Sequence, residues 1–203
     1  MDPITEYILN EGYLFSDKNI SVNLSKFESG ESNKLLILGT AGSGKTTIGE
    51  MLSKQYKIKW ISIDSMWWRL KQKYFKDSDL IDKVIHKKVE KKVYEFVIAA
   101  LKSNERFIME GIDLLDIYDK FSTTRPLILK QSMIILGLSS LRAGIRASKR
   151  NQEREPEGNF FQSNYWMIRF NVKKTEPKLK MIRNDIGKNP KNEVKEYQVP
   201  KEN

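Results

Sequence analysis

The chain has 203 residues, of which 39% are hydrophobic and 31% charged, with a formal net charge of +10 and no cysteine. That composition fits one globular domain, or one domain with a short appendage. It excludes disulfides and thiolate metal sites, and no apolar run approaches the roughly 20 residues of a membrane span. The charge is uneven. Residues 1–33 carry 2 basic and 6 acidic side chains, residues 34–141 carry 19 and 12, and residues 142–203 carry 15 and 8. A basic body suits nucleotides, phosphorylated substrates or nucleic acid; it also serves solubility alone. Met1 to Leu14 lacks the basic start and apolar middle of a secretion signal, so a cytoplasmic location is the expectation.

Residues 1–33 read as an appendage to a domain spanning 34–203. Pro3 to Asn10 has the spacing of a short amphipathic helix with Pro3 in its first turn. Ile20 to Leu24 alternates as a strand does, and Ser29 to Asn33 is a loop. Docking to a protein partner or covering a sheet edge are both open to this segment.

Leu35-Leu36-Ile37-Leu38 then runs into Gly39-Thr40-Ala41-Gly42-Ser43-Gly44-Lys45-Thr46-Thr47. This is the Walker A, or phosphate-loop, pattern, with a strand before it and a helix after it. Glycines allow a turn that a Cβ would block, and successive N–H groups cradle phosphate at a helix N-terminus. Residues 39–47 are therefore expected to bind a nucleoside triphosphate, with Lys45 on the β- and γ-phosphates and the Thr46 hydroxyl on Mg²⁺.

From there strand, loop and helix alternate. The pattern predicts a helix over 45–56, a strand over 59–63, and a helical stretch with Trp67 and Trp68. It then predicts a long helix from a Ser78 cap to about 102, a strand over 106–109, and a second acidic cluster before Thr124. A strand over 132–136 and a helix to about 150 follow. After a polar, mobile loop over 151–163 come a helix over 165–181 and a strand over 194–199. Alternation of this kind implies a parallel sheet covered on both faces. Ligands then sit at the carboxyl ends of the strands, where Gly39, Asp64 and Glu110 fall.

Asp64 can orient an acceptor or take its proton; it can also be a helix N-cap. Glu110, before Gly111, has the place of the carboxylate that holds Mg²⁺, usually through water, and of an acceptor contact; Asp113 competes for the role. Arg142, Arg146, Arg150 and Arg154 recur every fourth residue and make one stripe on a helix. Guanidinium groups there can clamp phosphate bidentately, Arg146 and Arg150 best, or form a solvated face. Trp67 and Trp68 lead a stretch with 9 Lys/Arg and 4 Asp/Glu between residues 69 and 92. They can contact substrate by stacking, or line the core. His86, the only histidine, is read as a surface or partly packed residue.

On the loop Gly39–Thr46, on Asp64 with Trp67-Trp68 behind it, on Glu110-Gly111 and on the Arg-bearing helix, residues 34–199 resemble the small phosphate-loop kinases. These are of the adenylate-kinase and shikimate-kinase type. Within them the chain looks most like the bacterial adenylate-kinase-like proteins once called DNA topology modulators. The resemblance implies an α/β three-layer sandwich with a five-stranded parallel sheet, a helical substrate-binding insert and a short lid. It implies ATP and Mg²⁺ as cofactors, Asp64 facing the acceptor and lid-side arginines completing the site. Glu110 departs from the Asp common in close relatives, and residues 1–33 are not part of that core. Their acidic, amphipathic start resembles leader segments of tailed-phage proteins.

The expected activity is phosphoryl transfer to a small hydroxyl or phosphate acceptor, a nucleoside or nucleotide first. One alternative is a phage-type kinase acting on hydroxymethylated pyrimidines in DNA. Another is a nucleotide-dependent switch or assembly protein. A GTPase is disfavoured because no Asn-Lys-x-Asp segment is present, and a large motor is disfavoured by length.

Overall fold

Strand β2 (Lys34–Gly39) is buried along its whole length. A continuous apolar run in the middle of a parallel sheet has that fate, because helices cover both faces. Its parallel neighbours are β4 (Phe107–Glu110) and β5 (Ser132–Leu136), and β3 (Lys59–Ser62) pairs beyond β4. Two short strands, β1 (Ile20–Val22) and β6 (Val194–Glu196), complete the sheet in the order β3-β4-β2-β5-β1-β6. This computed structural model describes residues 20–22, 24–74, 83–136, 140–154, 160–188 and 194–196.

Alternate side chains of the parallel strands feed two cores. Leu36, Leu38, Phe107, Met109, Met133 and Ile135 face one side. There they meet helices α4 (Lys83–Lys102), α5 (Asp113–Lys120), α6 (Arg125–Leu129) and α9 (Glu176–Gly187). Leu35, Ile37, Ile108, Ile134 and Leu136 face the other, against α1 (Leu24–Glu28) and α2 (Lys45–Tyr56). The expected three layers are present. Helices α3 (Ile63–Tyr74), α7 (Ser140–Arg154) and α8 (Phe160–Phe170) complete the described elements. None of the described helices is long and apolar enough to cross a membrane.

The sheet differs from expectation at one edge. Among the described strands four are parallel, not five. The fifth place is taken by β1, which runs antiparallel to β5 and to β6. The reason is connectivity. Strand β1 reaches β2 through α1 and a turn, a short reversal that leaves no room for the crossover a parallel partner requires. The described part of residues 1–33 is also built into the fold. Phe27 is fully buried, its ring lies 4.7 Å from the Arg106 guanidinium, and its carbonyl accepts from Arg106 Nη2 at 2.6 Å. The helix expected over residues 3–10 and the Ser78 cap lie outside the described residues.

The region after β5 differs too. The polar stretch expected to be a loop from residue 151 continues α7 to Arg154, and α8 starts at Phe160. Gln, Glu and Arg are good helix formers, so polarity alone did not separate an exposed helix from a loop. The helix expected over residues 165–181 is α8 and α9 joined by a π-turn, Asn171–Thr175.

Candidate active site

The phosphate loop leaves β2 at Gly39 and enters α2 at Lys45. Gly44, its N-cap, has φ 88°, and Gly42 has φ 82°. Gly42 has a second reason to lack a side chain. A Cβ there would lie 2.0 Å from the Ala143 carbonyl oxygen of α7. Glycine thus lets α7 descend onto the loop, which sets where the arginine stripe stands. Lys45 is buried, and its Nζ donates to the Thr40 carbonyl of its own loop at 2.9 Å. Burial pulls the ammonium below its ordinary range; the Asp64 and Glu110 carboxylates oppose that, and Arg150 adds to it. Ser43 Oγ and Thr40 Oγ1 are buried without a partner.

Two carboxylates face this loop from the neighbouring strand ends. Glu110 closes β4, is fully buried, and its Oε1 accepts from Thr46 Oγ1 at 3.4 Å while Oε2 has no partner. Burial pushes its carboxyl up; the Ser62 hydroxyl lowers it, Asp64 raises it again, and Lys45 and Thr46 lower it. Asp64 sits in the first turn of α3, and its Oδ1 accepts the Ile112 N–H at 3.1 Å. Gly111 makes that approach feasible. Its φ is 152°, and a Cβ would meet Ile63 Cβ at 2.7 Å and Asp64 Oδ1 at 3.1 Å.

A cavity of about 470 Å³ opens over the loop. The loop backbone, Asp64, Arg146 and Arg150 line it, and Met167 and Phe170 of α8 add apolar surface. A second cavity, of about 560 Å³, adjoins it. Its walls come from α3 (Asp64, Trp67, Trp68), α4 (His86, Glu90) and α5 (Asp113, Asp116). Thr46, Thr47, Asp64, Ile112 and Arg150 line both.

The expected site residues therefore gather in two adjoining places. Trp67 and Trp68 line the second cavity. His86, expected at the surface or partly packed, is exposed and lines it as well, with its ring centroid 4.9 Å from that of Trp67. Glu110 contacts Thr46, whereas its rival Asp113 faces the second cavity. Of the arginine stripe, Arg146 and Arg150 reach the cavities. Arg142 and Arg154 lie on the same helix, with side chains outside the described residues.

Met167 and Phe170 of the first cavity, Glu90 of the second, and Asn171 escaped the sequence. Asn171, fully buried at the head of the π-turn, holds Ala41 of the phosphate loop on both sides. Its Oδ1 accepts the Ala41 N–H and its Nδ2 donates to the Ala41 carbonyl, each at 3.1 Å. A π-turn inserts one residue into a helix and is seldom tolerated without a purpose; here it accompanies an amide clamp on the loop. No motif announces a partner 130 residues away in sequence.

No protein-family model matches the chain, and no curated protein matches it. Three solved structures show low similarity. Shikimate kinase from Acinetobacter baumannii, in complex with shikimate, is 14% identical with a TM-score of 0.48, covering 78% of this chain and 83% of that one. A protein described as a candidate kinase from Chloroflexus aurantiacus is 17% identical with a TM-score of 0.43, covering 67% and 77%. An uncharacterised protein from Eubacterium ventriosum is 15% identical with a TM-score of 0.33, covering 76% and 75%.

Proposed function

We propose that the protein is an ATP- and Mg²⁺-dependent phosphotransferase acting on a small hydroxyl compound. The observation that carries this reading is the pair of adjoining cavities. One lies over a phosphate loop, the other is lined by side chains, and a carboxylate and a guanidinium stand where they meet. A hydrolase or switch needs the first cavity only.

The residues fit each task. Loop N–H groups and Lys45 hold the triphosphate, with Lys45 exchanging its Thr40 carbonyl for phosphate oxygen. Met167 and Phe170 offer an apolar face to the nucleobase. The Thr46 hydroxyl and the unpartnered Glu110 Oε2 are hard oxygen donors suited to Mg²⁺, directly or through water. When bound, Mg²⁺ offsets charge on the β- and γ-phosphates.

In the transfer the acceptor hydroxyl oxygen bonds to the γ-phosphorus as the bond to the β–γ bridging oxygen breaks. ADP leaves with that oxygen. The hydroxyl proton passes to the Asp64 carboxylate, which lines both cavities. Arg146 and Arg150 stabilise charge on the moving phosphoryl group.

The test is transfer of labelled γ-phosphate from ATP with Mg²⁺ into a mixed panel, with Lys45→Ala as control. The panel holds nucleosides, nucleoside monophosphates, polyols, and DNA with and without hydroxymethylated bases. Label in a small hydroxyl compound supports the reading. Label in DNA replaces it with the base-modifying kinase, and label in free phosphate alone replaces it with the nucleotide switch.

A further inference from the structure

The second cavity has a charge that phosphoryl transfer alone does not explain. Four carboxylates line it: Asp64, Glu90, Asp113 and Asp116. Among the described residues the only Lys or Arg in its wall is Arg150, at the junction with the phosphate-loop cavity. Two carboxylates already have a cationic partner, Glu90 in Lys120 and Asp116 in Lys178. Asp64 accepts one backbone N–H. Asp113 has no hydrogen bond or ion pair among the described residues.

We infer that the acceptor is a cationic hydroxyl compound, an amino alcohol or amino sugar, held by its ammonium group at Asp113 with its hydroxyl at Asp64. Only the second half of this assignment rests on the phosphotransferase reading. The charge preference follows from the cavity itself.

An anionic acceptor would bring a further negative charge among carboxylates and give up water to do so. Recognition of a carboxylate or phosphate calls for guanidinium or ammonium donors, and the wall beyond Arg150 has none among the described residues. A cation reverses both penalties: it supplies donors to the acids and offsets their mutual repulsion. Burial, then Asp64, Asp116 and Glu90, push the Asp113 carboxyl up to about 7, with Lys120 opposing them. That crowding is what an ammonium group relieves. Lys71 already lies 5.0 Å from the Trp68 ring and 6.0 Å from that of Trp67, so the two indoles add an apolar surface for the carbon frame.

The test is calorimetric binding to the full chain, with ADP and Mg²⁺ present, of four matched linear polyols. They are 1-amino-1-deoxysorbitol, sorbitol, gluconate and sorbitol 6-phosphate, at about pH 8, where the amine is still charged. The amine is expected to bind roughly tenfold to hundredfold tighter than sorbitol, the gain of a charged hydrogen bond, and the two anions more weakly than sorbitol. Asp113→Asn should bring the amine down to the level of sorbitol, and Asp113→Glu should keep part of the preference. Equal or tighter binding of either anion, no measurable binding of the amine, or a preference that survives Asp113→Asn overturns the assignment. Amine preference without label transfer from ATP upholds the charge assignment while removing the phosphotransferase reading. Label transferred into gluconate, sorbitol 6-phosphate or DNA does the reverse.

Discussion

The two cavities that meet at Asp64 are made of different material. The phosphate-loop cavity is lined mainly by one short stretch, Ala41, Gly42 and Gly44 to Thr47, with Arg146 and Arg150 of α7 and Met167 and Phe170 of α8 beside it. Apart from Thr46, Thr47 and Arg150, which it shares with the first, the second is lined by three separate stretches, residues 62–68, 86–90 and 112–116. Peptide N–H groups at a helix start offer the same donors to any polyphosphate. Side chains discriminate. In the proposed reading the first cavity sets the class of chemistry, and the second sets which molecule receives it.

The largest expected effect lies at the shared chemistry of the first cavity. Lys45→Ala removes the buried ammonium of the phosphate loop, and transfer should fall about a thousandfold. Measured kcat/KM for ATP checks this; retention of most activity would sink the assignment of Lys45. Asp64→Asn is the next test. An amide oxygen still accepts the Ile112 N–H, so the local fold is kept, but the carboxylate base is gone. Turnover should fall roughly a hundredfold or more with little change in ATP affinity. If turnover is unchanged, Asp64 serves the Ile112 contact alone.

Asn171 tests how far the generic cavity depends on distant structure. Asn171→Ala leaves the part-buried Ala41 N–H and carbonyl without this partner, a cost of about 1–3 kcal/mol. The expected readout is a KM for ATP raised by about tenfold, with kcat altered less and thermal stability lowered. Asn171→Asp keeps an acceptor for the N–H but sets an acid against the Ala41 carbonyl, so it should not rescue the loss. Unchanged ATP affinity and stability in Asn171→Ala would mean the clamp has no role.

The same contrast governs what could be read before the fold was known. The phosphate loop is contiguous, so its strand, glycines and helix stand side by side in the chain; helix 45–56 and strand 132–136 have the expected bounds. The placement of Asp64 and Glu110 beside the phosphate loop was legible because apolar runs ended at them, and strand ends share one edge of a parallel sheet. Asn171 was not, since it forms part of no local pattern and its partner arrives by folding. The direction of β1 was not, because strand alternation says nothing of pairing sense. The acids of the second cavity were visible as a cluster after Gly111, yet Glu90 comes from another helix, and only packing joins them around one space.

The smallest expected effect concerns what that acid-lined wall costs the fold. An Asp carboxyl in an unfolded chain titrates near 3.9, whereas that of Asp113 in the fold is pushed up to about 7. As pH rises from about 4 to 7, the unfolded chain gives up this proton while the folded chain keeps it. The unfolded state then binds fewer protons, and stability falls with pH. The contribution of Asp113 is therefore fully present below about pH 4 and is lost as pH passes through about 7. An amide does not titrate, so Asp113→Asn should be more stable than the native chain at about pH 8, and the advantage should shrink towards about pH 4. The carboxyl is only partly buried, so a gain of about 1–2 kcal/mol is expected, read as a rise of a few degrees in the melting midpoint. Parallel stability curves for the two proteins would show that no such cost exists. A difference that opens between those pH values would show that the native chain keeps a carboxylate at a price in stability, as a wall built to receive a cation requires.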